Sequence, residues 1–162
     1  MLKYFVLFLI FTFQVSPVFA EGKKEVFVQG LGLGLMGGES EFRVTGGYNH
    51  PLFDFMQVGG GLSWQSFGHA STSVRVLKIQ VGPTFNLGPY ENTYFASLGY
   101  GIRSGTGLVE SGKTEPNGGG LYLHIGQRLP IGNNLVWRPS AGIETGGGFH
   151  LIVHVLSIAY FF

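Results

Sequence analysis

The side chains in this chain that could do chemistry are ionisable residues set between apolar neighbours. Arg43, for example, lies between Phe42 and Val44. In a strand, every second side chain points the same way, so ionisable groups at alternate positions share one face. The set that we expect on a common inner face is Glu41, Arg43, Lys78, Arg103, His124, Arg128, Arg138 and Glu144.

Charges of both signs on an inner face predict a network of ion pairs. Removing one partner from such a pair leaves a buried charge, which destabilises a protein by about 3–5 kcal/mol. Basic residues outnumber the two glutamates in the set, which indicates water or another anion beside them. A structural polar plug is one interpretation, and a narrow polar path for small solutes or anions is the alternative.

The five histidines are His50, His69, His124, His150 and His154. None has carboxylates or cysteines at the spacing of a metal site, so we expect no metal and no other cofactor. Counting by twos from Phe162 places His150 and His154 on the lipid side, near the outer edge of a membrane. Contact with lipid head groups is the simple interpretation of these two residues, and catalysis on a lipid is the alternative.

Alternating apolar and polar residues between Gly- and Pro-rich breaks predict eight strands. Their ranges are 24–36, 41–48, 55–66, 73–85, 93–103, 118–129, 135–145 and 149–162. These lengths suit strands that cross a bilayer at a tilt, which takes about 9–11 residues. In the first strand the alternation places Phe27 toward lipid, and it places Val28 inward with several glycines.

An even number of strands brings both ends of the chain to one side of the membrane. The predicted periplasmic turns are 50–54, 87–92 and 130–134. The predicted outer loops are 37–40, 67–71, 104–117 and 146–148. The third outer loop is the longest and the most polar, so it is the expected site of contact with a partner.

Composition favours a membrane barrel over a soluble β-sandwich or lipocalin-like barrel, a choice that periodicity leaves open. Charged residues make up 12% of the chain, against about 25% in an average soluble domain. Aromatic residues make up 15%, and 28 of the 162 residues are glycine. The net charge of +1 without a basic tract argues against nucleic acid as a partner. Since cysteine is absent, disulfides and a lipid anchor on cysteine are excluded.

The amino terminus has the pattern of a cleaved secretory signal peptide over residues 1–20. Lys3 precedes an apolar run at 4–13, Pro17 follows, and Ala20 provides a small residue at the expected cleavage point. The apolar run is short for a helix that must cross about 30 Å of hydrocarbon. We therefore expect export through the inner membrane, with a single barrel domain over 21–162.

The carboxy terminus alternates apolar residues up to an aromatic last residue, at Leu156, Ile158, Tyr160 and Phe162. An apolar edge strand invites aggregation unless another strand covers it, and pairing with the first strand of a barrel would cover it. The pattern resembles the carboxy-terminal signature of bacterial outer-membrane β-barrel proteins. In that family the barrel assembly machinery reads the final Phe and the alternate apolar residues before it.

The whole mature chain is similar to small eight-stranded outer-membrane proteins of the OmpA/OmpX type. The resemblance implies an all-β, antiparallel, up-and-down transmembrane barrel in the outer membrane of a Gram-negative cell. It implies outer-membrane lipid, lipopolysaccharide and the assembly machinery as partners, and we expect a monomer. We expect a structural or surface-interaction protein rather than an enzyme. A narrow, porin-like channel and a lipid A-modifying enzyme remain as alternatives, although the His, Ser and Asn motif of the lipid A deacylases is not found.

Overall fold

The computed structural model describes residues 23–36, 39–69, 72–88, 90, 92–106, 117–146 and 148–162. Within these ranges the side chains of residues 31–41 and 67–73 are not described. The predicted signal peptide, its cleavage point and most of the longest outer loop lie outside the described residues. Among the described residues no α-helix is long and apolar enough to cross a membrane.

The described part of the chain forms ten antiparallel β-strands in one sheet. They are β1 Glu25–Met36, β2 Glu39–Phe53, β3 Met56–His69, β4 Thr72–Asn86, β5 Tyr94–Thr106, β6 Gly118–Gln127, β7 Leu129–Pro130, β8 Leu135–Trp137, β9 Ser140–Glu144 and β10 His150–Phe161. Consecutive strands from β1 to β6 are neighbours, and β9 pairs with both β6 and β10. The first and last strands pair over most of their length, from Glu25 opposite Phe161 to Gly34 opposite Ile152, which closes the sheet.

The ten strands make an eight-stranded closed barrel, because two of the eight barrel strands are interrupted and each consists of two segments. β6 and β7 are the two segments of one barrel strand, which is interrupted at Arg128. β8 and β9 are the two segments of the next barrel strand, which is interrupted at Arg138 and Pro139. The predicted all-β, eight-stranded antiparallel barrel is therefore confirmed. Several predicted connections are wrong in extent. β2 continues through Pro51 to Phe53, where its pairing with β3 shifts register. β2 also begins at Glu39 and β3 continues to His69, within the predicted outer loops 37–40 and 67–71.

The barrel is apolar outside and polar inside. Large apolar side chains are exposed all around the outer wall, for example Leu62 at 51%, Ile79 at 59% and Ile125 at 61%. The side chains that alternate with them are buried and mostly polar, as the strand period requires. This inversion relative to a soluble protein is the arrangement of barrels whose outer wall meets lipid.

The predicted faces of the first strand are wrong over its first half. Phe27 is buried, at 5% exposure, whereas Val28 is exposed, at 55%. The pairing of β1 with β2 shifts by one residue between Gln29 and Gly32. Because side chains alternate, a shift of one residue exchanges the faces beyond it.

The last strand carries a matching irregularity that overturns a second prediction. Val155 and Leu156 are consecutive, yet both are exposed, at 48% and 57%. The alternation therefore reverses at this point. His150 and His154 point into the barrel, at 8% and 1% exposure, rather than toward lipid.

Glycines on the inner face make room for aromatic side chains in the narrow interior. A Cβ atom placed on Gly99 would collide with the Val81 carbonyl oxygen and with the ring of Tyr122. A Cβ atom on Gly126 would collide with Phe95 in the same way. These positions need glycine because the aromatic ring lies directly on the backbone.

Candidate functional site

The first polar cluster in the interior is built around the carboxylate of Glu144, at the end of β9. Arg43 on β2 donates to it at 2.6 Å, and the Nζ of Lys78 on β4 lies 2.7 Å from it. The Nε2 atom of His124 on β6 is 3.2 Å from the same carboxylate. One carboxylate thus joins three basic residues from three other strands across the lumen, and we call this group the Glu144 cluster.

Further buried hydrogen bonds join β2 to β3 on the inner face, and one of them holds Arg43. With its amide oxygen turned toward Arg43, Gln65 accepts hydrogen bonds from the guanidinium at 2.8 and 3.0 Å. Thr45 and Ser63 share a hydrogen bond of 2.8 Å between their hydroxyl groups. Buried hydrogen bonds of this kind fix the position of each side chain, since leaving a buried donor without an acceptor is unfavourable.

The second cluster lies near the end of the barrel that carries the chain termini, and its centre is Glu25. Arg128 meets Glu25 at two points, with Nε 3.0 Å and Nη2 2.8 Å from the carboxylate oxygens. The Nε of Arg138 lies 3.1 Å from the same carboxylate, and Asn49 donates to it at 2.7 Å. Gln57 accepts from Arg128 at 2.9 Å. We call this group the Glu25 cluster.

Aromatic rings enclose the two arginines of the Glu25 cluster. The guanidinium carbon of Arg128 is 4.8 Å from the centre of the Phe95 ring and 5.5 Å from that of Phe161. Arg138 lies 4.6 Å from the Phe27 ring centre and 4.2 Å from that of Phe95. Such cation–π contacts are stronger when they are removed from water. The aromatic rings also fill the part of the lumen cross-section that the ion pairs leave open.

A small cavity of about 20 Å³ lies between the two clusters. Gln29, Gln80, Thr84, Ser97, Tyr122 and His124 are among the residues that line it. A second cavity, of about 10 Å³, lies beside Lys78, Arg103 and Glu144. A single water needs roughly 10–15 Å³ of cavity volume, so each of these two cavities has room for about one water.

The structure buries seven of the predicted inner residues in the lumen: Arg43, Lys78, Arg103, His124, Arg128, Arg138 and Glu144. The contacts described above centre on two carboxylates, those of Glu144 and Glu25. The side chain of Glu41 lies outside the described residues. The predicted assembly residues Leu156, Ile158, Tyr160 and Phe162 all lie on the outer wall, at 49–57% exposure.

Glu25 is the central residue that the sequence analysis missed. It comes soon after the predicted cleavage point, and the faces of the first strand were assigned in reverse over that stretch. The signal that could have found it is its spacing from Phe27 and Gln29, since all three alternate on the buried face. The inward direction of His150 and His154 was missed because alternation also reverses within the last strand.

No group of three His, Cys, Asp or Glu side chains in the described ranges is arranged to hold a metal ion. His124 lies beside the carboxylate of Glu144. Arg43 and Lys78 already occupy the carboxylate there, and their positive charges oppose a cation.

Comparisons with known proteins support the fold. No family model matches the sequence, and no curated protein matches it either. A de novo designed transmembrane β-barrel matches with a TM-score of 0.56 and 16% identity, over 88% of this chain and 98% of the design. Ail, the attachment invasion locus protein of Yersinia pestis, matches with a TM-score of 0.54 and 15% identity, over 87% of this chain and 99% of Ail. OprG from Pseudomonas aeruginosa matches with a TM-score of 0.50 and 8% identity, over 86% and 90% of the two chains.

All three structures are small transmembrane or outer-membrane proteins, and this chain spans nearly the whole length of each. At identities of 8–16% the likeness concerns the fold. The chain therefore has the fold of the small outer-membrane β-barrels, which confirms the resemblance predicted from its sequence.

Proposed function

We propose that the protein is an integral outer-membrane β-barrel with a plugged lumen and a structural or surface-interaction role. The observation that carries this proposal is the combination of an exposed apolar outer wall with buried ion pairs inside a closed barrel. Dissolved in water, such a wall would aggregate, whereas in a bilayer it meets hydrocarbon. The predicted signal peptide and carboxy-terminal assembly residues provide the route to the outer membrane.

The plugged lumen is favoured over a channel by the Glu25 cluster. Glu25, Gln57 and Arg128 have no exposed surface, and aromatic rings close the gaps around the arginines. An eight-stranded barrel is just wide enough to be filled by its side chains. A solute path would require these paired groups to separate, which is unfavourable inside a barrel.

The lipid-modifying alternative loses its candidate residues. It needed His150 or His154 on the outer rim beside lipid, and both rings lie inside the barrel. The attachment invasion locus protein among the structural neighbours bears a name that suggests surface contact. By analogy of fold alone, we infer surface contact as the leading role, with the loop at 104–117 as its site.

Outer-membrane lipid and lipopolysaccharide are the proposed surroundings of a monomeric barrel. Arg75 points outward near the outer end of β4, opposite Ser66 and Thr106 on the adjacent strands. Along β4, the apolar wall runs from Phe85 to Leu77, which is about 20 Å at the usual strand tilt. Arg75 lies just beyond the outer end of this apolar stretch. At that height its guanidinium is placed to bind a phosphate of a lipid head group.

Two tryptophans on the outer wall provide a direct test of this proposal. Trp64 and Trp137 are exposed there at 43% and 38%. In vesicles made with lipids brominated on the acyl chain, both should lose fluorescence, whereas dissolved acrylamide should quench them weakly. Strong quenching by acrylamide with none by brominated lipid would contradict a membrane location.

A further inference from the structure

Two side chains that can donate hydrogen bonds lie side by side on the outer wall, at the end of the barrel that carries the chain termini. Lys24 is exposed just before β1, and its backbone exchanges two hydrogen bonds of 3.0 Å with Phe162. Glu25 pairs with Asn49 on β2, so the residues one step further along these antiparallel strands are Lys24 and His50. Side chains opposite each other in such a pair have Cβ atoms about 4.5–5.5 Å apart.

The imidazole of His50 is held by a neighbour on the same strand. Its Nδ1 atom lies 3.1 Å from the hydroxyl oxygen of Tyr48, and the two ring centres are 6.3 Å apart. When the phenol donates to Nδ1, the neutral imidazole carries its proton on Nε2. The second nitrogen of His50 is then a hydrogen-bond donor for a group outside the barrel.

Aromatic rings and an apolar side chain frame these two donors. Tyr48 and Tyr160 lie opposite Val26 on its two sides, and all three are exposed on the outer wall. The Nζ of Lys24 lies 5.9 Å from the centre of the Phe162 ring, which stacks on Tyr160 with the ring centres 6.4 Å apart. Tyrosines in this arrangement are typical of the level at which a membrane barrel passes from hydrocarbon to head groups.

The apolar wall continues directly from this level toward the middle of the barrel. The next outward pair on the first and last strands is Val28 opposite Ile158, and both side chains are exposed. A lipid whose acyl chain lies on this wall has its head group beside Lys24 and His50. A lipid phosphate has a negative charge and acceptor oxygens, which match an ammonium group and an imidazole N–H.

We propose that Lys24 and His50 bind the phosphodiester of one phospholipid in the membrane leaflet at this end of the barrel. Lys24 provides the positive charge, His50 provides a directional donor, and Tyr48 positions the imidazole. The site lies at the opposite end of the barrel from Arg75, so it takes a lipid of the other leaflet. The proposal rests on the proposed membrane barrel and defines one lipid contact of that barrel.

The test uses the purified barrel folded in detergent micelles, with isotope-labelled histidine. The Nε2 resonance of His50, identified by its loss in His50→Gln, is followed by NMR during three titrations. The ligands are a short-chain phosphatidylglycerol, a diacylglycerol with the same chains, and inorganic phosphate. Phosphatidylglycerol should give a saturable shift, and diacylglycerol should give none. Inorganic phosphate should bind at least about tenfold more weakly, because it has no acyl chain to bury on the wall.

Lys24→Gln should weaken the binding of phosphatidylglycerol about tenfold, since it keeps a polar side chain but removes the charged donor. Tyr48→Phe removes the bond that positions the ring, so it should shift the resonance of His50 in the lipid-free protein and lower the affinity by a smaller factor. Arg75→Gln removes a charge at the other end of the barrel. It is the matched control and should leave the affinity unchanged.

An equal shift with diacylglycerol, an equal affinity for inorganic phosphate, or an unchanged affinity in Lys24→Gln would overturn the phospholipid site. A protein that folds in neither micelles nor vesicles would instead overturn the proposed membrane barrel, so the two failures are distinguishable.

Discussion

Arg128 and Glu25 face each other across 103 residues of sequence and form a two-point ion pair inside the barrel, near the end that carries the chain termini. Neither side chain has any exposed surface. The pair joins β1 to the barrel strand that β6 and β7 form. It therefore links the beginning of the barrel to a strand on another part of the wall. Arg138 and the surrounding phenylalanine rings complete the closure.

Glu25→Gln should strongly destabilise the barrel, because it removes the negative charge that Arg128 and Arg138 share. Breaking a buried pair from one side costs about 3–5 kcal/mol. Urea unfolding in vesicles at pH 7.5 measures the loss. Asp54→Asn, which removes an exposed carboxylate in the turn between β2 and β3, is the control and should cost less than about 1 kcal/mol. A loss for Glu25→Gln no larger than that of the control would contradict the structural role of the Glu25 cluster.

Leu123→Arg should destabilise the barrel in vesicles by about 2–4 kcal/mol, since it puts a charge on the outer wall at mid-height. Leu123 lies near the middle of β6 and is 44% exposed. Ser104→Arg is the matched control, because it introduces the same side chain on the outer wall near the outer end of β5, where the expected cost is about 0–1 kcal/mol. Equal costs at the two depths would show that the wall does not meet hydrocarbon.

Phe162→Ser should lower the amount of folded barrel in the outer membrane of cells while sparing refolding in vesicles. The substitution keeps the two backbone hydrogen bonds that join residue 162 to Lys24 and removes only the ring that the assembly machinery is expected to read. Deletion of residue 162 removes those bonds as well and should impair both measurements. Normal outer-membrane levels of Phe162→Ser would refute the assembly signal.

Planar bilayers that contain the purified protein should show no steady unitary conductance, because the Glu25 cluster fills the lumen of a barrel that is just wide enough for its side chains. Arg103→Ala, beside the smaller cavity, should remain silent too. The channel alternative forecasts the opposite, with a preference for anions from the basic lining. Reproducible unitary currents that change in Arg103→Ala would contradict the plugged lumen and support the channel.

The sequence was sufficient for the fold and for most of the faces of the strands. The alternation of apolar and polar residues is a local property, and each of Arg43, Lys78, Arg103 and His124 could be assigned to the inner face from its immediate neighbours. The closed barrel also followed from local information, because eight strand-length segments and an apolar last strand leave closure as the way to cover the edges.

Two irregularities decided the rest, and strict alternation along a strand predicts neither of them. The shift between Gln29 and Gly32 moved Phe27 inward, and the two exposed neighbours Val155 and Leu156 moved His150 and His154 inward. The strand period is two, so each irregularity exchanged the faces of every residue beyond it until the strand ended.

The pairing of the inner charges was decided by the tertiary structure alone. Arg43 reaches Glu144 from 101 residues away, and Glu25 reaches Arg128 from 103. Where a strand is regular, local alternation fixes the side of the wall to which each group belongs. The partners are fixed by the register and tilt of strands around the closed barrel, because these set the height at which each side chain enters the lumen.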